Sequence, residues 1–313
     1  MKTPQFWKSN NAFGFLLSPF GALYGALTAL RLKLKKGYQA DVPVICVGNI
    51  TAGGVGKTPI SMALGELLKK QGKNPFFISR GYGGVLSGVL VDNKKHSPRE
   101  VGDEPLILSH VAPTVVCHDR AKAAKIAIQN GADILIMDDG FQNPGLKKDV
   151  SFLVFNGELG IGNGKIIPAG PLRESLKSGL KRADAVIFIG EDKTKLLEKI
   201  DKPVLKANIV EQKPDYQGSV VAFAGIGYPQ KFYNSLLKCG LTIENAYDFE
   251  DHHFYTKDEL KHILKKAKKK NLPVYTTSKD YVKIPKNMQH DFNVLHIKAE
   301  FEDQKALLKF LRF

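Results

Sequence analysis

Cysteine is scarce in this chain of 313 residues: Cys46, Cys117 and Cys239 are the three present. They are far apart, odd in number and free of C-x-x-C or zinc-ligand spacing, which argues against a disulfide framework and for a reducing compartment. Acid is short as well, with 31 Asp plus Glu against 46 Lys plus Arg and a formal net charge of +15. That sign favours anionic partners such as nucleotides, phosphorylated substrates, acidic lipid or nucleic acid, without selecting among them. The lysines between Lys261 and Lys270 come with no aromatic stacking platform or reader motif, so nucleic acid is not an expected partner. They read instead as a solvated or membrane-facing helix face. Repeats and low-complexity linkers are missing too, leaving ordinary globular organisation at a length that suits two α/β domains or one domain with a large insertion. Nothing in the sequence calls for an obligate protein partner.

One long stretch lacks charge altogether, from Ser9 to Leu30, with Lys2 and Lys8 before it and Arg31, Lys33, Lys35 and Lys36 after it. No small-residue cleavage site follows, which argues against a signal peptide. Its length would permit a membrane span, but Ser18-Pro19 interrupts it and reads as an N-cap followed by a first helical position. A helix starting there places Phe20, Leu23, Tyr24, Leu27, Leu30 and Leu34 at three- and four-residue spacing, with basic residues at its C-terminal end. Such a helix can lie in a bilayer interface, each nearby Lys or Arg adding roughly 1 kcal/mol of attraction to anionic lipid. The plainer alternative is a helix packed on the protein's own core. Residues 1–36 are therefore expected to form an amphipathic, membrane-associating segment.

Beyond Gly37 short apolar runs alternate with helical patterns: 42–47, 76–79, 114–117, 134–137, 152–155 and 186–189 read as buried strands. This predicts an α/β fold of the phosphate-loop NTPase type, a mostly parallel sheet with helices on both faces, over residues 37–213. A smaller Rossmann-like α/β unit that closes a cleft is expected over 214–313, with strands at 220–224, 274–277 and 294–297 and helices over 230–238 and 257–270. Thr256 and Glu259 supply a capping box for the second of these helices.

The sharpest chemical signal is the stretch Thr51, Ala52, Gly53, Gly54, Val55, Gly56, Lys57, Thr58, set between a strand and a helix. Glycines there let backbone N–H groups close around phosphate oxygens, and the helix N-terminus adds a favourable dipole. Lys57 would reach the β- and γ-phosphates, and Thr58 would offer its hydroxyl to Mg²⁺. Thr51 stands where the usual pattern has its first glycine. Such a loop needs an acid at a neighbouring strand end, and Asp138 and Asp139 close the apolar run at 134–137. The spacing of Thr277-Ser-Lys279-Asp280 is wrong for a guanine reader, and Ala52 stands where partitioning ATPases carry lysine, so ATP and phosphoryl transfer are favoured. A membrane-tethered NTPase acting as a switch is the second reading. For attack by an alcohol, proton-accepting candidates are Asp103 and Glu104 in Gly-Asp-Glu-Pro, and His252 or His253.

Taken together, 47–59, 79–82, 102–105, Asp119-Arg120, 138–142, 168–174, Asp251-His252 and 277–280 resemble, in order, the blocks of the bacterial tetraacyldisaccharide 4'-kinases of lipid A biosynthesis. The resemblance implies transfer of the γ-phosphoryl group of ATP to the 4' hydroxyl of a lipid disaccharide 1-phosphate. It places that reaction peripherally on the cytoplasmic face of the inner membrane, at a cleft between two lobes. It further implies Asp103 and His252 as a catalytic pair beside Lys57, and Thr58, Asp138, Asp139 and Glu104 around Mg²⁺. Arg80, Tyr82, Arg120, Arg173 and Glu174 are implied as contacts to substrate or phosphate.

Overall fold

The computed structural model describes residues 4–311. Thirteen strands run through them: β1 (Val44–Gly48), β2 (Pro75–Ser79), β3 (Val89–Leu90), β4 (Thr114–Val116), β5 (Ile134–Asp138), β6 (Val150–Asn156), β7 (Ala185–Ile189), β8 (Val204–Glu211), β9 (Gly218–Ala224), β10 (Leu241–Asp248), β11 (Val274–Thr277), β12 (Asn293–Leu295) and β13 (Ile297–Phe301). Nine form one sheet in the order β13-β8-β7-β6-β1-β5-β2-β4-β3, and four form a second in the order β10-β9-β11-β12. The larger sheet is parallel except at its two edges, where β3 runs antiparallel to β4 and β13 to β8. This is the mostly parallel α/β architecture that the apolar runs predict.

Those runs are continuous because both faces of the sheet are covered. Along β1, Val44 and Cys46 enter one apolar cluster while Ile45 and Val47 enter the other. The helix Arg120–Gln129 packs Ala123, Ala124 and Ala127 into the first cluster, and the helix Lys57–Lys70 packs Ile60, Leu64 and Leu67 into the second. In the smaller sheet every pairing is parallel. Phe232 and Leu236 of the helix Pro229–Lys238 cover one face, and Leu260 and Ile263 of the helix Lys257–Lys269 cover the other. The expected capping box of Thr256 and Glu259 is formed.

The expected single strand at 294–297 is two strands in different sheets. β12 ends at Leu295 in the smaller sheet, and β13 pairs with β8 at the edge of the larger one. The helix Gln304–Phe310 then buries Leu307 in the core of the larger sheet. The segment after β12 thus belongs physically to the larger unit.

The N-terminal helix spans Ser18–Leu34 and is preceded by a short helix, Ala12–Leu16. Ser18 is inside the helix and its hydroxyl donates back to the Gly14 carbonyl, so it is not the expected N-cap. The surface the helix turns to the protein is made of small residues: a Cβ on Gly21 would lie 2.6 Å from the Ile166 carbonyl oxygen, and one on Gly25 2.8 Å from Ile166 Cδ1. Its outward surface is apolar, with Phe20 63% and Leu34 70% exposed and Leu23, Leu27 and Leu30 exposed beside them. A soluble helix reverses that arrangement. No helix among the described residues is long and apolar enough to cross a membrane.

Candidate active site

β1 lies at the centre of the larger sheet, between β5 and β6, and its C-terminal end opens where α/β sheets bind ligands. The chain leaves it through residues 49–56 and re-enters helix at Lys57. Gly53 and Gly56 sit at φ 114° and 100°, which an L side chain rarely adopts. Nothing lies within 4 Å of where a Cβ on Gly53 or Gly54 would be, so this part of the loop faces open space. Its first residues are tied down instead: Ala52 donates its N–H to Pro171 (2.7 Å), and Arg173 donates to Ile50 (2.6 Å). Thr51 forms an antiparallel bridge with Leu172 and is buried, which explains why this position needs no glycine.

Around the loop the polar side chains form one connected set. The Lys57 ammonium lies 3.6 Å from Asp139 and 3.4 Å from the Asn49 side-chain oxygen. Arg173 reaches Asp139 at 3.2 Å. Thr58 Oγ1 lies 3.5 Å from Asp138 Oδ2, and Ser61 donates to Asp138 Oδ1 at 2.7 Å. Asp138 ends the strand β5 while Asp139 takes a left-handed backbone, φ 48°, so the two adjacent acids part company. Their electrostatics differ accordingly. Burial, reinforced by the Glu104 charge, pushes Asp138 up to about 7. Burial also opposes ionisation of Asp139, but Lys57 and Arg173 outweigh it and hold that carboxyl below its ordinary range.

Among the described residues no three His, Cys, Asp or Glu gather at metal-holding distance. The donors nevertheless fit Mg²⁺ bound with a nucleotide, because such a site takes one hydroxyl and one or two carboxylates and completes itself with phosphate oxygens and water. Thr58 and Asp138 could supply that pair, and among the described residues no cation lies within salt-bridge distance of Asp138.

Asp103 begins the helix Asp103–Ser109 and is buried. Across the boundary between the two sheets, His252 Nδ1 lies 3.2 Å from Asp103 Oδ2. The hydrogen bond that the imidazole donates to Asp103 raises its pKa above the ordinary value; burial raises the Asp103 pKa, but the bond and Lys279 prevail and lower it. His252 has φ 62°, and the Tyr82 ring stands 5.6 Å from its own. His253 is placed elsewhere, stacked on Phe249 at 4.8 Å and bonded to Glu259 at 3.1 Å. The neighbouring imidazole is therefore structural.

Three expected residues sit differently from their expected use. Both Glu174 oxygens contact Arg182 at 2.5 Å, and Gln142 bonds one of them at 3.0 Å, so this buried acid braces the site from behind and has no oxygen left to clamp a substrate. Glu104 is paired with Lys279 at 2.5 Å and makes no bond to Asp138, Asp139 or Thr58. Arg120 is buried, donates to the Cys117 carbonyl at 2.5 Å and leaves Nε without a partner among the described residues. Burial and the nearby Arg80 charge lower the pKa of Arg120, against the opposite pull of Asp139. Arg80 and Tyr82 are exposed.

Several participants carried no expectation. Gln142 donates to the Asn49 carbonyl at 2.8 Å, linking the acidic turn to the loop. Arg182 donates to the Phe141 carbonyl at 3.0 Å and stacks 4.3 Å over the Phe141 ring. As a basic residue in a helix's last turn, Arg182 had a sufficient local explanation in the helix dipole, so only the fold exposes its partner.

Fold and loop together define a phosphate-loop nucleotide-binding α/β protein. The sequence model of the Tetraacyldisaccharide-1-P 4'-kinase (LpxK) family matches residues 13–312, and the chain belongs to that family. Tetraacyldisaccharide 4'-kinase from Rhodospirillum rubrum is 42% identical over 98% of this chain and 96% of its own. The enzyme of the same name from Bradyrhizobium diazoefficiens is 41% identical over 98% and 94%. A crystal structure of LpxK from Aquifex aeolicus in complex with ATP superposes with a TM-score of 0.78 at 29% identity, covering 95% of this chain and 98% of that one.

Proposed function

We propose that the chain is an ATP-dependent kinase that phosphorylates the 4' hydroxyl of a tetraacyldisaccharide 1-phosphate, a lipid A precursor. Membership of the family supports the activity. Two observations support the mechanism: a phosphate loop with Lys57 at the end of β1, and Asp103 of the larger lobe bonded to His252, which comes from the smaller one. Backbone N–H groups of 51–56 and the Lys57 ammonium hold the β- and γ-phosphates. Thr58 and Asp138 hold Mg²⁺, with Asp139 keeping Lys57 and Arg173 in place; the cation, when bound, neutralises phosphate charge. Asp103 fixes the His252 ring through Nδ1, leaving Nε2 to accept the proton of the sugar hydroxyl. The new bond joins that oxygen to the γ-phosphorus as the bond to the β–γ bridging oxygen breaks and ADP leaves.

On the same reading the small-residue face of the helix Ser18–Leu34 seats it on the protein while its apolar face lies in the cytoplasmic leaflet of the inner membrane. The larger lobe comprises 37–213 with the returning segment 297–311, and 214–295 form the smaller lobe. The decisive assay supplies γ-labelled ATP, Mg²⁺ and detergent-dispersed disaccharide lipid and records product mass. Label in the lipid with one added phosphate is the expected result; label released only as free phosphate would make the chain an NTPase of the switching kind.

A further inference from the structure

The segment Thr277-Ser-Lys279-Asp280 closes β11, and the site described above gives it no chemical task. Its construction is costly for a plain turn. Asp280 is fully buried and accepts bonds from Tyr255 (2.8 Å) and Thr277 (2.7 Å) while pairing with Lys283 at 2.9 Å. Lys283 in turn reaches the Gly225 carbonyl, which also accepts the His252 N–H. A buried network with its groups bonded in this way fixes local geometry. What it fixes is the residue just before Asp280 and, through Gly225, the turn that carries His252.

Lys279 projects from this anchored turn across the cleft to Glu104 at 2.5 Å. Its charge interacts with Asp103 and Asp138 as well. One of those acids belongs to the pair that faces the acceptor, and the other stands beside Thr58. Through Glu104, the neighbour of Asp103 in sequence, the ammonium is held beside the helix Asp103–Ser109 that carries the hydroxyl-activating acid. Its side chain is 36% exposed, so an arriving anion can reach it.

We propose that Lys279 is a phosphoryl-binding residue of the smaller lobe, which exchanges Glu104 for the γ-phosphoryl group when ATP is bound. The inference rests on reading residues 51–58 as the ATP site. Lys57 approaches the phosphates from the loop and already neighbours Asp139; the outer oxygens of the group in transit need a cation from the opposite wall. Lys279 remains protonated throughout and donates N–H to a non-bridging oxygen, opposing the charge that spreads over the phosphoryl group as it moves. The competing account makes Lys279–Glu104 a tie between the lobes with no contact to nucleotide.

Calorimetric titration of the full-length protein in detergent, with Mg²⁺ and either ADP or a β,γ-imido ATP analogue, separates the two. Lys279→Met should weaken binding of the imido analogue by about 10-fold or more while leaving ADP within about 3-fold, and should lower kcat on the order of 10²-fold. Lys279→Arg should restore part of the analogue affinity. Equal affinities of native protein and Lys279→Met for the analogue, or an equal loss for both nucleotides, would overturn the assignment and leave the tie. Native protein that binds neither nucleotide would remove the ATP-site reading itself, and the proposal with it.

Discussion

The two halves of the cleft are built in opposite ways. The phosphate-holding half comes from β1, β5 and the segments that leave them, within one sheet, and its loop is fastened through main-chain bonds at Ile50 and Ala52. The half proposed to face the acceptor is a single bond between Asp103 and His252, 149 residues apart and supported by different sheets. The first is organised by the fold of one lobe. The second exists only while the lobes stand in the right relation, so nucleotide binding and phosphoryl transfer should be separable.

The largest effect tests the first half. Lys57→Ala should lower kcat/KM by at least about 10³-fold and weaken nucleotide binding, because a charge facing the β- and γ-phosphates is lost. Turnover within tenfold of the native rate would dissolve the contrast. The next test concerns the second half: His252→Asn, a residue that tolerates a left-handed backbone, should reduce kcat on the order of 10²-fold with ADP affinity unchanged in calorimetry. A matching loss of ADP affinity would show that the halves are not independent.

A subtler expectation follows from proton affinity. A base must be neutral to accept a proton, so kcat/KM should rise with pH through a midpoint above the ordinary imidazole value of 6.5, since Asp103 raises the pKa of His252. In Asp103→Asn the midpoint should move down toward 6.5, along with a lower plateau. A limb that stays fixed in that variant would take His252 out of the titration. The smallest effect on chemistry should come from Leu27→Glu, at an exposed position of the N-terminal helix: sedimentation with anionic vesicles should fall several-fold while turnover in detergent holds. Undiminished sedimentation would mean that another surface meets the bilayer.

Legibility in the sequence follows the same division. β1, the loop and Asp138–Asp139 could be read because their chemistry is local, an apolar run feeding a glycine turn beside a second run that ends in acid. The Asp103–His252 pair could not be derived from spacing and came only through family resemblance. Glu174 is implied as a ligand contact only by its place in the block 168–174, and its actual partner Arg182 lies eight residues on with no local signal of the pairing. β8 carries no continuous apolar run because Lys206 and Asn208 interrupt it, and neither does β10, an edge strand with Glu244, Asn245 and Ala246 exposed. β12 and β13 read as one strand because only His296 divides the two, and no local pattern announces a change of sheet.

That change of sheet has a mechanical side. The chain crosses to the smaller unit after Glu211 and comes back after Leu295, and the two crossings are bonded to each other, Gln212 N–H to the His296 carbonyl at 2.9 Å. A door hung on two pins set close together can swing about the line through them and cannot slide off its frame. A rotation about that line would carry His252 and Lys279 toward or away from the phosphate loop, with Gln212 and His296 staying at the rim of the larger sheet.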